Sequence, residues 1–146
     1  MKRFLAFLGG CVLCVAAHAD EWGVRYRVKG SFEDARDAVV AAIENRGLVI
    51  NYTSHMADML ARTGADLGAT RRVYDKAEII EFCSAKLSRQ MMEADPHNIV
   101  LCPFAVSVYV LPGEKDAAWV AYRRPPAHAG KAVADLLEGI AREAAR

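Results

Sequence analysis

The 146-residue chain carries 19 lysines and arginines against 18 aspartates and glutamates, a formal net charge of +1. So balanced a chain has no basic stripe for neutralising phosphates, which argues against nucleic-acid binding; Arg71-Arg72 and Arg123-Arg124 are short solvated pairs. Its length suits one domain with a real core, and no internal repeat, low-complexity tract or Gly/Ser/Pro-rich linker divides it.

The N-terminus reads as an export signal. Met1-Lys2-Arg3 is a basic start, Phe4 to Ala16 is uncharged and mostly apolar, and Ala17-His18-Ala19 precedes Asp20-Glu21 as an A-x-A cleavage site. The apolar run is too short to span a bilayer, and no stop-transfer pattern follows it. Residues 1–19 are therefore expected to be a signal peptide cleaved near Ala19. The remaining domain, residues 20–146, would be periplasmic or secreted, without stable membrane insertion. Leu8-Gly9-Gly10-Cys11 has the local form of a lipid-attachment site, but the apolar stretch before it falls short of the roughly 7–15 residues an export signal needs. Cleavage removes Cys11 and Cys14 and leaves Cys83 and Cys102 as the cysteines of an oxidising compartment.

From Trp22 to Lys29 the chain alternates, with Trp22, Val24, Tyr26 and Val28 on the buried side of a strand. Ser31 is placed as a helix N-cap, Asp34 completes a capping-box pattern, and Phe32, Ala35, Val39 and Ile43 recur at helical spacing over 32–46. Gly47 is expected to stop that helix, and 48–52 to form a second strand. Residues 55–62 read as a short helix, 65–76 as irregular, 78–82 as a third strand running into Cys83, and 85–94 as another helix. The segment 95–98 is turn material. Residues 106–111 and 118–122 form a hairpin about the 112–116 turn, and 127–145 make a final amphipathic helix with Val133, Leu136, Leu137 and Ile140 inward. This order predicts an α+β domain: a mostly antiparallel sheet of about five strands with helices on one face. Because 106–111 is apolar on both sides, a homodimer covering the other face is expected.

Chemistry is sparse. The chain lacks G-x-S-x-G, HExxH, CxxCH and a phosphate-cradling glycine loop. Glu78 and Glu81 stand three apart on a strand and so face opposite sides, a poor acid/base pair. A cysteine nucleophile with His55 as base is the one catalytic arrangement the residue types offer, and no catalytic residue is assigned. Cys83 ends one strand and Cys102 begins another; if these strands are neighbours, the pair could form a structural disulfide, a redox pair, part of a metal site, or two buried thiols. With His55, Met59 and His97, the two cysteines make a soft donor set suited to copper(I). Methionines at helical spacing also fill cores, so the copper set competes with a packing role. The function expected is a non-enzymatic exported domain binding a small ligand, metal or protein partner, with a thiol-redox or sulfur-handling protein using Cys83 and Cys102 as the alternative.

The segments "SFEDARDAVVAAIENRGLVI", "SHMADML", "EIIEF", "QMMEADPHNIVLCPFAVSVYV" and "WVAYRRPP" together resemble the domain of unknown function 302 family, over about Tyr26 to Pro125. The resemblance implies a small α+β domain, with dimers known among relatives and no general enzymatic activity. Two places depart from the common pattern, and both carry a cysteine: Phe82-Cys83-Ser84-Ala85 and Leu101-Cys102-Pro103-Phe104.

Overall fold

A computed structural model describes residues 22–146. The expected signal peptide, with Cys11 and Cys14, lies outside the described residues.

Strand β1 (Gly23–Lys29) leads into α1 (Phe32–Glu44), β2 (Val49–His55), α2 (Met56–Gly64), β3 (Lys76–Cys83) and α3 (Ala85–Ala94). A 3₁₀ turn (Pro96–Leu101), β4 (Phe104–Val110), β5 (Ala117–Arg123), a second 3₁₀ turn (Ala127–Ala129) and α4 (Lys131–Ala144) complete the chain. The five strands form one sheet in the order β1-β5-β4-β3-β2, with every neighbouring pair antiparallel. This is the α+β architecture the sequence predicts.

The core follows from strand alternation. Val106, Val108, Val120, Tyr122, Ile80 and Phe82 point to one side of the sheet, and α1 and α4 lay their apolar stripes over them. Val39 and Ile43 from α1 and Ile140 from α4 are fully buried in this layer. Each such side chain contributes roughly 1.5–3 kcal/mol by leaving water. Ser31 caps α1 as expected: its hydroxyl accepts from the Asp34 N–H at 3.0 Å, and the Asp34 carboxylate accepts from the Ser31 N–H at 3.3 Å. An ion pair between Lys76 and Glu33, with the Lys76 ammonium over the Phe32 ring, pins the start of α1 to β3.

Several boundaries differ from the sequence expectation. Trp22 stands outside β1 and is 68% exposed, so the buried face begins at Val24. β2 runs on through the polar Thr53-Ser54-His55, because β3 supplies partners for all three, and a register irregularity lies between Ile50 and Tyr52. The expected terminal helix divides at Gly130, whose φ of 89° a side chain would resist, leaving a 3₁₀ turn before α4. The turn expected at 95–98 is the start of a six-residue 3₁₀ segment, capped by the Asp95 carboxylate on the His97 N–H at 2.9 Å. Gly47 takes the left-handed conformation that its helix-stopping role requires, at φ 69°.

Candidate functional site

The side of the sheet away from α1 and α4 has an unusual composition. Pairing brings Ala121 of β5 opposite Ser107 of β4 and Arg25 of β1, while Ala105 and Ala77 continue the same face on β4 and β3. Small side chains in adjacent strands leave a hollow, and a groove of about 570 Å³ lies over them. It continues round the end of the sheet where β5 passes into Pro125-Pro126, reaching Val133 and Leu137 of α4.

Aromatic rings wall this hollow. Tyr74 and Tyr109 line it, and Trp119, the direct cross-strand partner of Tyr109, stacks on that ring from outside the groove with centroids 6.3 Å apart and planes 9° from parallel. Tyr74 meets Tyr109 edge-on at 5.5 Å. The Trp119 indole N–H donates to Glu114 at 2.7 Å, which fixes its ring. Burial pushes the Tyr109 hydroxyl up, with Arg25 pulling the other way, so Tyr109 stays a neutral donor. At the opposite wall the Arg25 guanidinium lies 5.9 Å from the Trp22 ring, and Arg123 and Arg124 add positive charge. An apolar, ring-walled trough with cationic groups at one side can hold a flat molecule bearing a negative group.

The second site gathers the cysteines. Since Phe82 pairs with Phe104, the end of β3 and the chain entering β4 run side by side. Cys83 and Cys102 line one open recess of about 400 Å³ together with Ser88 and Met92 of α3. Both are free thiols, so of the alternatives the sequence left open the bridge is not formed in the structure. The Cys102 Sγ lies 3.3 Å from the Ser88 hydroxyl, and the Cys102–Pro103 peptide is cis. Burial pushes the Cys83 thiol up, and neighbouring Cys102 and Glu81 add to the effect.

The other expected metal ligands are elsewhere. His55 ends β2 at the opposite end of the β2–β3 pair from Cys83, about 17 Å away at the usual strand rise, with its Nδ1 3.2 Å from the Glu78 carboxylate. That separation also removes His55 as a base for either cysteine. Met59 is on α2, where the Thr63 hydroxyl donates to its carbonyl at 2.9 Å. His97 is exposed on the 3₁₀ segment and does not line the recess. Among the described residues no cluster of three or more His, Cys, Asp or Glu side chains could hold a metal ion. The structure therefore unites Cys83 and Cys102 but separates them from His55, Met59 and His97.

A polar cluster that sequence reasoning missed joins α4 to the sheet. The Glu138 carboxylate accepts from the Tyr26 hydroxyl at 2.7 Å, and also from the Tyr122 hydroxyl and the Arg142 guanidinium. Burial alone would raise the Glu138 carboxyl, but the donors Tyr122, Arg142 and Tyr26 outweigh it and hold it down to about 2. Burial, and then the bond to Glu138, push both tyrosine hydroxyls up, Tyr122 the further. Tyr26 and Tyr122 are diagonal neighbours across the β1–β5 pairing, a relation visible only once those strands are paired.

Comparison with curated proteins gives no match. A solved structure of an uncharacterized conserved DUF302 protein from Bacillus stearothermophilus is similar at 12% identity, with a TM-score of 0.69 over 86% of this chain and 99% of that one. That likeness speaks for the fold. The family model described as "Domain of unknown function DUF302" matches residues 24–146, from the first core residue of β1 to the end of the chain, and the chain belongs to that family.

Proposed function

We propose that the protein is an exported, non-enzymatic binding domain that holds a small, flat, anionic ligand on the open face of its sheet. The observation that carries this reading is the run of small residues Ala77, Ala105, Ser107 and Ala121 beside Ile79, lined by Tyr74, Tyr109 and the arginines Arg25, Arg123 and Arg124. A sheet face that served only as solvated surface has no need of an apolar hollow of small residues beside tyrosine rings. The export signal at residues 1–19 supports a periplasmic or secreted site of action. Thiol exchange at Cys83 and Cys102 is the weaker reading, since an up-shifted thiol supplies little thiolate at neutral pH.

Trp22 lines the groove and Trp119 stacks on the lining Tyr109, so the intrinsic fluorescence of both tryptophans reports on it. Titration with an anilinonaphthalene sulfonate, an aromatic anion, is expected to quench that fluorescence saturably at one site per chain. Ala121→Trp, which fills the floor, is expected to weaken the probe by at least about tenfold, roughly 1.4 kcal/mol. Unchanged affinity in that folded variant would overturn the assignment. A homodimer closing the same face, seen as a concentration-dependent doubling of mass that excludes the probe, would replace the ligand with a second copy of the chain.

A further inference from the structure

We propose that Cys83, Cys102 and Met92 form a binding site for a single soft monovalent metal ion, copper(I). The site is separate from the groove on the sheet and does not depend on the ligand reading. Three sulfur-bearing residues line one recess from three different segments: Cys83 at the end of β3, Met92 on the third turn of α3, and Cys102 in the chain entering β4. Ser88 and Met92 are four residues apart on α3 and so share a helical face. The Ser88 hydroxyl lies 3.3 Å from the Cys102 sulfur, which places that face, and Met92 with it, against Cys102.

The chemistry of the recess selects the ion. Besides the sulfurs, its polar side chains are the Asn51 amide and the Ser88 hydroxyl; the rest of its lining is small or apolar, without a carboxylate or imidazole. Hard cations such as magnesium or calcium need oxygen ligands with negative charge, and zinc favours four ligands including nitrogen or further thiolate. Two thiolates and a thioether suit copper(I), which accepts low coordination numbers and soft donors. Binding is acid–base in kind, with no electron transferred: both S–H bonds give up protons, two Cu–S bonds form, Met92 adds a neutral third donor, and the bound unit carries one negative charge. Met92 takes the place of His55, Met59 and His97 in the donor set that the sequence suggests. It lies on the helix whose N-cap, Ser84, directly follows Cys83.

The test is an anaerobic titration of the fully reduced protein with copper(I) in competition with bicinchoninate, together with copper K-edge X-ray absorption of the product. The expected result is one copper per chain in an all-sulfur shell, with about two protons released per ion in weak buffer. Cys83→Ser and Cys102→Ser should each weaken binding by at least about 100-fold. Met92→Leu, nearly isosteric, should weaken it by about tenfold and remove one sulfur from the absorption fit. His55→Ala and His97→Ala should leave affinity unchanged. Absence of stoichiometric binding, nitrogen in the copper shell, or full affinity in Cys102→Ser would each overturn the proposal. Should a serine variant fail to fold, the Met92→Leu affinity and the sulfur count of the wild type decide the question.

Discussion

Glu138 takes charge-stabilising bonds from three donors on two layers of the fold, and its ionisation is therefore tied to folding. Its carboxyl is depressed to about 2 from an ordinary 4.5. A depressed group adds stability that is fully present above the unfolded value and is lost as pH falls through the folded one. The loss should thus fall between about pH 5 and pH 2. With its side chain one-third exposed, solvent reduces the effect to roughly 1–2 kcal/mol. Urea unfolding of Glu138→Gln should show that deficit at pH 7 and none near pH 2; a deficit that persists unchanged at pH 2 would mean that lost packing, not charge, is the cause. The tyrosines act with the opposite sign, since their hydroxyls are raised: their contribution holds below about pH 10 and is lost as pH rises through the raised values. Tyr122→Phe should accordingly flatten the alkaline limb of the stability curve. None of this was legible beforehand, because Tyr26 and Glu138 stand 112 residues apart and nothing local marks either as a partner. Ser31 is the contrary case. Its cap is written in four consecutive residues, and Ser31→Ala should cost about 1 kcal/mol by thermal or urea unfolding.

At the scale of elements, legibility follows how local the cause is. The strand-to-α1 transition and α3 are set by caps and periodicity within one or two turns, and α3 spans the residues its sequence predicts. β2 is longer than expected because Thr53, Ser54 and His55 are extended by their pairing with Ile80, Ile79 and Glu78, not by their own preference. Gly130 divides the C-terminal segment although its neighbours are good helix formers, and a lone glycine in a helical pattern does not announce whether it will be tolerated or will break the run. β3 is the element on which the rest depends, since it pairs with both β2 and β4 and carries Phe82 and Ile80 into the core. Phe82 is fully buried and meets Phe104 at a centroid distance of 6.0 Å. Phe82→Ala should therefore destabilise by about 3–5 kcal/mol in urea unfolding, and by far more than Trp119→Ala on the open face.

At the scale of the whole molecule, the antiparallel sheet with two helices on one face was legible from the element order, and the identity of the uncovered face was not. Ala77, Ala105, Ser107 and Ala121 are unremarkable singly; only the order β5-β4-β3 gathers them on one face beside Ile79 and Tyr109. The cysteines fared between these extremes. Cys83 ends β3 as expected, while Cys102 closes the 3₁₀ segment and stands before β4, and the donors expected to join them lie elsewhere on β2, α2 and that segment. The groove and the sulfur recess thus become sites only through tertiary pairing. The most direct test of the groove as the ligand site is an amide chemical-shift map of the uniformly labelled protein titrated with the naphthalene sulfonate. The account predicts that signals of Ala77, Ala105, Ser107 and Ala121 move together with one dissociation constant, while those of the solvent side of α1 stay in place. Shifts confined to α1 and α4, with the four floor residues unmoved at saturation, would contradict it.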